Sequence, residues 1–140
     1  MRRLVLPSLL LALGAALAGQ APARTVWDGV YTAEQAAAGQ QIYGESCASC
    51  HGGALGGAEA APALVGAQFA ATWNGTTLND LAERIRVSMP ADDPGSLGRR
   101  DVASVVAYVL SAGGFPAGEF ELGRQAEVLQ QIAYVSTPPD

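Results

Sequence analysis

The only histidine and the only two cysteines of this chain fall within five consecutive residues, Cys47-Ala48-Ser49-Cys50-His51. That clustering limits what the chain can build. A thioredoxin-like dithiol belongs in a βαβ setting, whereas this motif follows a helical stretch with no strand signal nearby. A structural zinc site takes four ligands, and the chain offers three residues of the right kind. A plain disulfide is compatible with an exported chain but leaves the histidine without a role.

Covalent attachment of one haem accounts for all three residues. Thiols three positions apart can add to the two vinyl groups of a single porphyrin, and the adjoining histidine then lies under the iron. Composition agrees. Hydrophobic residues make up 49% of the chain, but aromatics only 6%, and 17 glycines and 8 prolines break up the sequence. Such a chain buries little large apolar surface of its own, and an internal cofactor would fill the gap.

A second axial ligand follows by subtraction. Apart from Met1, Met89 is the only methionine, and it stands 38 positions beyond His51. Met89-Pro90 also ends a helical pattern, because proline cannot continue a helix and restricts the residue before it. His51 and Met89 are therefore the candidate axial pair. The alternative is a core methionine and an iron that is five-coordinate or water-ligated.

The chain starts with Arg2 and Arg3, then runs apolar from Leu4 to Leu17 apart from Pro7, Ser8 and Gly14, with small-residue sites ending at Ala18 and Ala23. This is the layout of a secretory signal peptide over residues 1–23, cleaved after Ala18 or Ala23. The apolar run of about 14 residues is short of the roughly 20 needed to span a bilayer. The expected location is the periplasm, with no stable membrane insertion after the leader is removed. Loss of Arg2 and Arg3 takes the formal charge from −5 to −7 and leaves no lysine. Nucleic acid is excluded as a partner, since nothing here neutralises a run of phosphates.

The remainder divides into a haem-binding domain over residues 24–114 and a C-terminal extension over 115–140. Thr32-Ala33-Glu34-Gln35 reads as a capping box opening a helix that runs to about Tyr43 and stops near Gly44. Residues 58–75 read as a loop. A second helix starts at Thr76 or Thr77, with Asp80 in its first turn, and ends before Met89. The best helix starts at Asp101 or at the arginines before it. It places Val102, Val105, Val106, Val109 and Leu110 on one face, and Gly113-Gly114 closes it. The extension carries a short helix from about Glu121 to Ile132. No segment reads as a strand, so the fold class is all-α.

These residues resemble the class I cytochromes c over about residues 32–114. The resemblance rests on Gly39-x-x-x-Tyr43, Cys47-Ala48-Ser49-Cys50-His51, Pro62-x-Leu64, Met89-Pro90 and Ala107-Tyr108-Val109-Leu110. It implies a single domain of three to four main helices around one covalently bound haem c. It also implies that the first and last helices cross at Gly39 near Tyr43 and Tyr108. The Pro62 carbonyl is implied to accept a hydrogen bond from the free ring nitrogen of His51, and Met89 to be the sixth ligand. A narrower resemblance is to the cytochrome c subunits or domains that accompany quinoprotein dehydrogenases. It rests on Val30-Tyr31-Thr32, Pro94-Gly95-Ser96-Leu97 after Met89-Pro90, and Gly114-Phe115-Pro116-Ala117-Gly118.

Leu64, Phe69 and Trp73 are the large side chains between the two ligands. They read either as a haem lining, with the Trp73 indole donating to a propionate, or as packing alone. Arg84 and Arg86 could pair with haem propionates but read first as solvated helix arginines, and Asp92 and Asp93 read as a solvated turn. The expected function is electron transfer without catalysis, from a dehydrogenase donor to a cytochrome or oxidase of the respiratory chain. Two questions stay open: whether the chain is a free shuttle or a fixed subunit of a quinoprotein dehydrogenase, and whether the iron instead keeps an open position for a sensor or peroxidase.

Overall fold

The computed structural model describes residues 24–59 and 61–139; the leader assigned to residues 1–23 lies outside them. The elements run β1 (Arg24–Thr25), α1 (Ala33–Ser46), α2 (Ala48–His51), α3 (Ala67–Trp73), α4 (Leu78–Ser88), α5 (Arg99–Ala112), α6 (Ala126–Leu129) and β2 (Ile132–Ala133). The all-α expectation holds. The only strands among the described residues are a two-residue parallel pair, with Arg24 opposite Ile132 and Thr25 opposite Ala133. None of the described helices is long and apolar enough to cross a membrane.

Helices α1 and α5 form the most extensive helix contact in the molecule. Gly39 makes it possible: a Cβ there would collide with the Ser104 carbonyl of α5. Glycine in mid-helix costs about 1 kcal/mol relative to alanine, and here that cost permits backbone-to-backbone approach. The Tyr43 and Tyr108 rings meet beside the crossing, with centroids 5.3 Å apart. On α5, Val102, Val105, Val106, Val109 and Leu110 are all buried, as their spacing predicts.

Helix α4 begins with a complete capping box. The Asp80 amide donates to Thr77 Oγ1 at 3.3 Å, and the Thr77 amide donates to Asp80 Oδ2 at 2.8 Å. The box expected at α1 forms only in half. Thr32 accepts from the Gln35 amide at 3.1 Å, but the Gln35 side chain turns away from the cap. It donates to the Leu122 carbonyl at 3.0 Å and accepts from the Leu122 amide at 2.7 Å. A buried amide side chain can satisfy a buried peptide unit in both directions, and that use prevails over the local one.

Three expectations need correction. The loop assigned to 58–75 contains α3, whose seven residues lack a side-chain cap and carry three alanines. Helix α1 runs past Gly44 to Ser46, where nothing crowds the missing Cβ of that glycine. The extension forms only four residues of helix, not twelve, because residues 132–133 are recruited to pair with β1.

The extension crosses its own domain as a strap. Tyr31 Oη donates to the Phe115 carbonyl at 2.6 Å, the Gly118 amide donates to the Tyr31 carbonyl at 2.7 Å, and Trp27 Nε1 donates to the Val135 carbonyl at 2.8 Å. Phe115, Leu122, Leu129, Ile132 and Tyr134 all enter the core.

Candidate functional site

The site starts where α1 ends. The Cys47 amide still donates to the Tyr43 carbonyl at 2.9 Å, and after a break at Cys47 the chain re-enters a single helical turn, α2. Within it the Cys50 and His51 amides both donate to the Cys47 carbonyl, at 3.1 and 2.9 Å. That turn puts Cys47 and Cys50 on one face, three residues apart. Both thiols are free, Cys47 half-buried and Cys50 exposed. Burial, and next the neighbouring Cys50, raise the Cys47 thiol above its ordinary pKa, so at neutral pH it stays protonated.

The following loop folds back over His51. The Gly57 amide donates to the His51 carbonyl at 2.8 Å, and the Leu64 amide donates to the Leu55 carbonyl at 2.8 Å. Gly57 has φ +79°, and a Cβ there would crowd the Pro62–Ala63 peptide. Tyr43 Oη donates to the Gly52 carbonyl at 2.6 Å and pins the start of the loop to α1. Burial first, and then the neighbouring Cys47 and Tyr108, push the Tyr43 phenol up to about 12, so it remains a donor over the physiological range.

The outcome is the orientation of one imidazole. His51 is buried, and its Nδ1 lies 2.8 Å from the Pro62 carbonyl oxygen. A carbonyl only accepts, so Nδ1 carries the proton and Nε2 keeps its lone pair for a metal. Among the described residues, no group of three or more His, Cys, Asp or Glu side chains is arranged to hold a metal ion.

Of the other sequence candidates, Leu64 and Trp73 pack, partly buried, against the core that Phe69 joins, as does Cys47. The Phe69 and Trp73 rings stand 6.1 Å apart on α3. Met89 caps the C-terminus of α4 in extended conformation, with its amide donating to the Ile85 carbonyl at 2.9 Å. It is partly exposed and does not join that core. Arg86 is committed to Glu83, at 2.7 Å, and Arg99 reaches the same carboxylate at 3.1 Å, tying α4 to α5. The hydrogen bond from Arg86 holds the Glu83 carboxyl below the usual range.

Two contributors carry no readable signal in the sequence. Leu55, buried at φ +58°, takes a left-handed conformation that leucine rarely adopts, and it anchors the loop under His51. Tyr134, from the strap, packs edge-on against Phe69.

The donor set fits a covalently held haem. Two unpaired thiols share one face of a helical turn, and the adjacent imidazole offers an oriented nitrogen. Cys47 and Cys50 would hold the porphyrin, and His51 would ligate the iron.

Comparisons with known proteins agree on the class of domain. The sequence model of the family described as cytochrome c oxidase, cbb3-type, subunit III matches residues 34–109, more than half of the chain. Among solved structures, the chain is similar to the sulfane dehydrogenase SoxCD from Paracoccus pantotrophus, with a TM-score of 0.53 and 21% identity. The similarity covers 77% of this chain and 61% of that one, and at this identity it bears on the fold. No curated protein matches the chain.

Proposed function

The chain belongs to the family described as cytochrome c oxidase, cbb3-type, subunit III, and from that premise we propose that it is a periplasmic electron carrier with one haem c bound through Cys47 and Cys50. The observation that carries this reading is the His51 imidazole, aligned by the Pro62 carbonyl at 2.8 Å directly after the two free thiols. Bound there, haem supplies a one-electron iron couple. The protein fixes the environment of that couple. Pro62 holds the tautomer and direction of His51, Tyr43 holds the loop that carries them, and Leu64, Phe69 and Trp73 provide apolar surface that excludes water.

Met89 is the proposed sixth ligand. It is the only methionine of residues 24–140, and it sits where α4 stops and Pro90 restricts the chain. A thioether is a soft donor that favours ferrous iron, so the pair His51 and Met89 sets a higher potential than two histidines would. Such a carrier makes and breaks no substrate bond and is not an enzyme by itself.

The proposed donor is a dehydrogenase and the proposed acceptor a cytochrome or oxidase of the respiratory chain. The likeness to SoxCD supports a dehydrogenase, and the excess of acidic groups favours basic docking surfaces. The C-terminal extension directs its hydrogen bonds to its own domain, so its length alone does not favour a fixed subunit over a free shuttle.

The test is an optical spectrum of protein matured in a host that makes c-type cytochromes. Sharp ferrous bands of a low-spin haem, with the weak far-red ferric band of sulfur–iron coordination, are expected, and Met89→Ala removes the far-red band. A high-spin spectrum that shifts with carbon monoxide contradicts the paired ligation and favours an open iron.

A further inference from the structure

The two proposed axial ligands sit on stretches of different build. The loop at His51 is cross-tied along its length, from Tyr43 to Gly52, from Gly57 to His51 and from Leu64 to Leu55. The stretch 89–98, which joins α4 to α5 and starts with Met89, is held more sparsely. Its main-chain hydrogen bonds are short-range: the Met89 amide reaches back to Ile85, the Asp93 amide donates to the Pro90 carbonyl at 3.0 Å, and the Ser96 amide donates to the Asp93 carbonyl at 3.3 Å. Residues 91–96 are all exposed, and among the described residues none of 90–97 forms a hydrogen bond outside the stretch. Leu97 packs, partly buried, on the core.

One carboxylate joins the two ends of this stretch. Glu83 stands on α4, and its Oε1 accepts from Arg99, the first residue of α5, at 3.1 Å. Arg86 orients the same carboxylate, with its Nε 3.0 Å from both oxygens and its Nη2 2.7 Å from Oε2. A guanidinium fork of this kind fixes the plane of a carboxylate. Exposed ion pairs lose much of their value to the entropy of two free side chains, and here one of the two is already held. Resting on the reading of Met89 as sixth ligand, we propose that Glu83, braced by Arg86 and clamped to Arg99, is a positioning residue for Met89 that closes the base of the 89–98 stretch and slows departure of the thioether from the iron. Glu83 is not itself a ligand. It acts by fixing the helix that ends at Met89 against the start of α5.

The test is the rate at which carbon monoxide binds to ferrous holoprotein, since the gas enters only when Met89 leaves the iron. Arg99→Ala opens the clamp and leaves Arg86 on Glu83. Arg100→Ala removes the same charge from the next position, which forms no ion pair among the described residues, and Arg99→Lys keeps the charge. Arg99→Ala is expected to speed binding roughly two- to fivefold, the reach of a partly exposed ion pair, while Arg100→Ala and Arg99→Lys stay near the wild type. The helical circular dichroism of Arg99→Ala should melt at the same temperature as that of Arg100→Ala, which assigns the change to the ligand and not to the fold. A wild-type rate in Arg99→Ala overturns the assignment. So does an equal acceleration in Arg100→Ala, or a faster rate that comes with a lower melting temperature in Arg99→Ala. A wild-type protein without the far-red sulfur–iron band overturns the Met89 reading and this inference with it, whereas an unchanged rate with the band intact overturns this inference alone.

Discussion

The loop around His51 and the strap over residues 115–139 reach their places by opposite routes. In the loop, the hydrogen bonds that matter join near neighbours: Tyr43 to Gly52, His51 to Gly57, His51 to Pro62 and Leu55 to Leu64. The strap is held by pairs far apart in sequence: Tyr31 with Phe115, Gln35 with Leu122, Trp27 with Val135 and Gly75 with Tyr134. Local geometry selects the residue types of the loop, whereas the strap depends on whatever surface the finished domain presents. The first kind of structure is written in short motifs and the second is not.

The comparison can be broken most forcefully by removing the strap. A chain ending at Gly114 loses five core residues, Phe115, Leu122, Leu129, Ile132 and Tyr134. At about 1.5–3 kcal/mol for each buried side chain, the loss is of the same order as the whole stability of a small domain. Thermal unfolding of the truncated holoprotein is expected to collapse to near ambient temperature. Survival with an unchanged midpoint would make the strap an accessory rather than part of the core.

Gly39→Val tests the contact on which both regions are mounted. Its side chain meets the Ser104 carbonyl of α5, and overpacking against backbone costs about 3 kcal/mol or more. Urea denaturation should show a large drop in midpoint, while a small drop would mean that α1 and α5 can separate freely.

Gln35→Ala sharpens the comparison at one joint. It leaves the buried Leu122 amide and carbonyl without their side-chain partner, a loss of about 1–3 kcal/mol. Hydrogen exchange should speed up in the strap first and leave the His51 loop protected. Equal acceleration in both would mean that they unfold as one unit.

The smallest effect concerns the loop and appears only in alkali. The Tyr43 phenol is raised from 10.0 to about 12 in the folded state, so the unfolded chain loses its proton first. The stability that this contributes is fully present below pH 10 and is lost as the pH rises from 10 to about 12. Tyr43→Phe is expected to flatten that alkaline decline, and an identical pH profile would assign the decline to other groups.

The same contrast explains what could be read from the sequence. The Cys47–His51 turn, the stop at Met89-Pro90 and the valine face of α5 each follow from residue type at short spacing, and the structure has all three elements. Gly39 was legible through its resemblance to a helix-crossing motif. Helix α3 was not, because Ala67–Trp73 has neither a capping side chain nor a long apolar repeat. Gln35 was assigned to its own helix cap because its distant partner is a main-chain unit, which leaves no mark on residue identity. Ile132 reads as the end of a helix, but together with Ala133 it pairs with β1, more than one hundred positions away. Tyr134 gave no sign of its place beside Phe69 for the same reason.

The central claim is that Cys47 and Cys50 bind haem covalently. It is tested most directly by denaturing the purified, matured protein in acidified organic solvent and following where the colour goes. Haem that stays with the precipitated polypeptide, and is released when Cys47 and Cys50 are both replaced by serine, is the predicted result. Haem that leaves the wild-type chain into the solvent, or a colourless protein from a host proven to mature c-type cytochromes, would contradict the account.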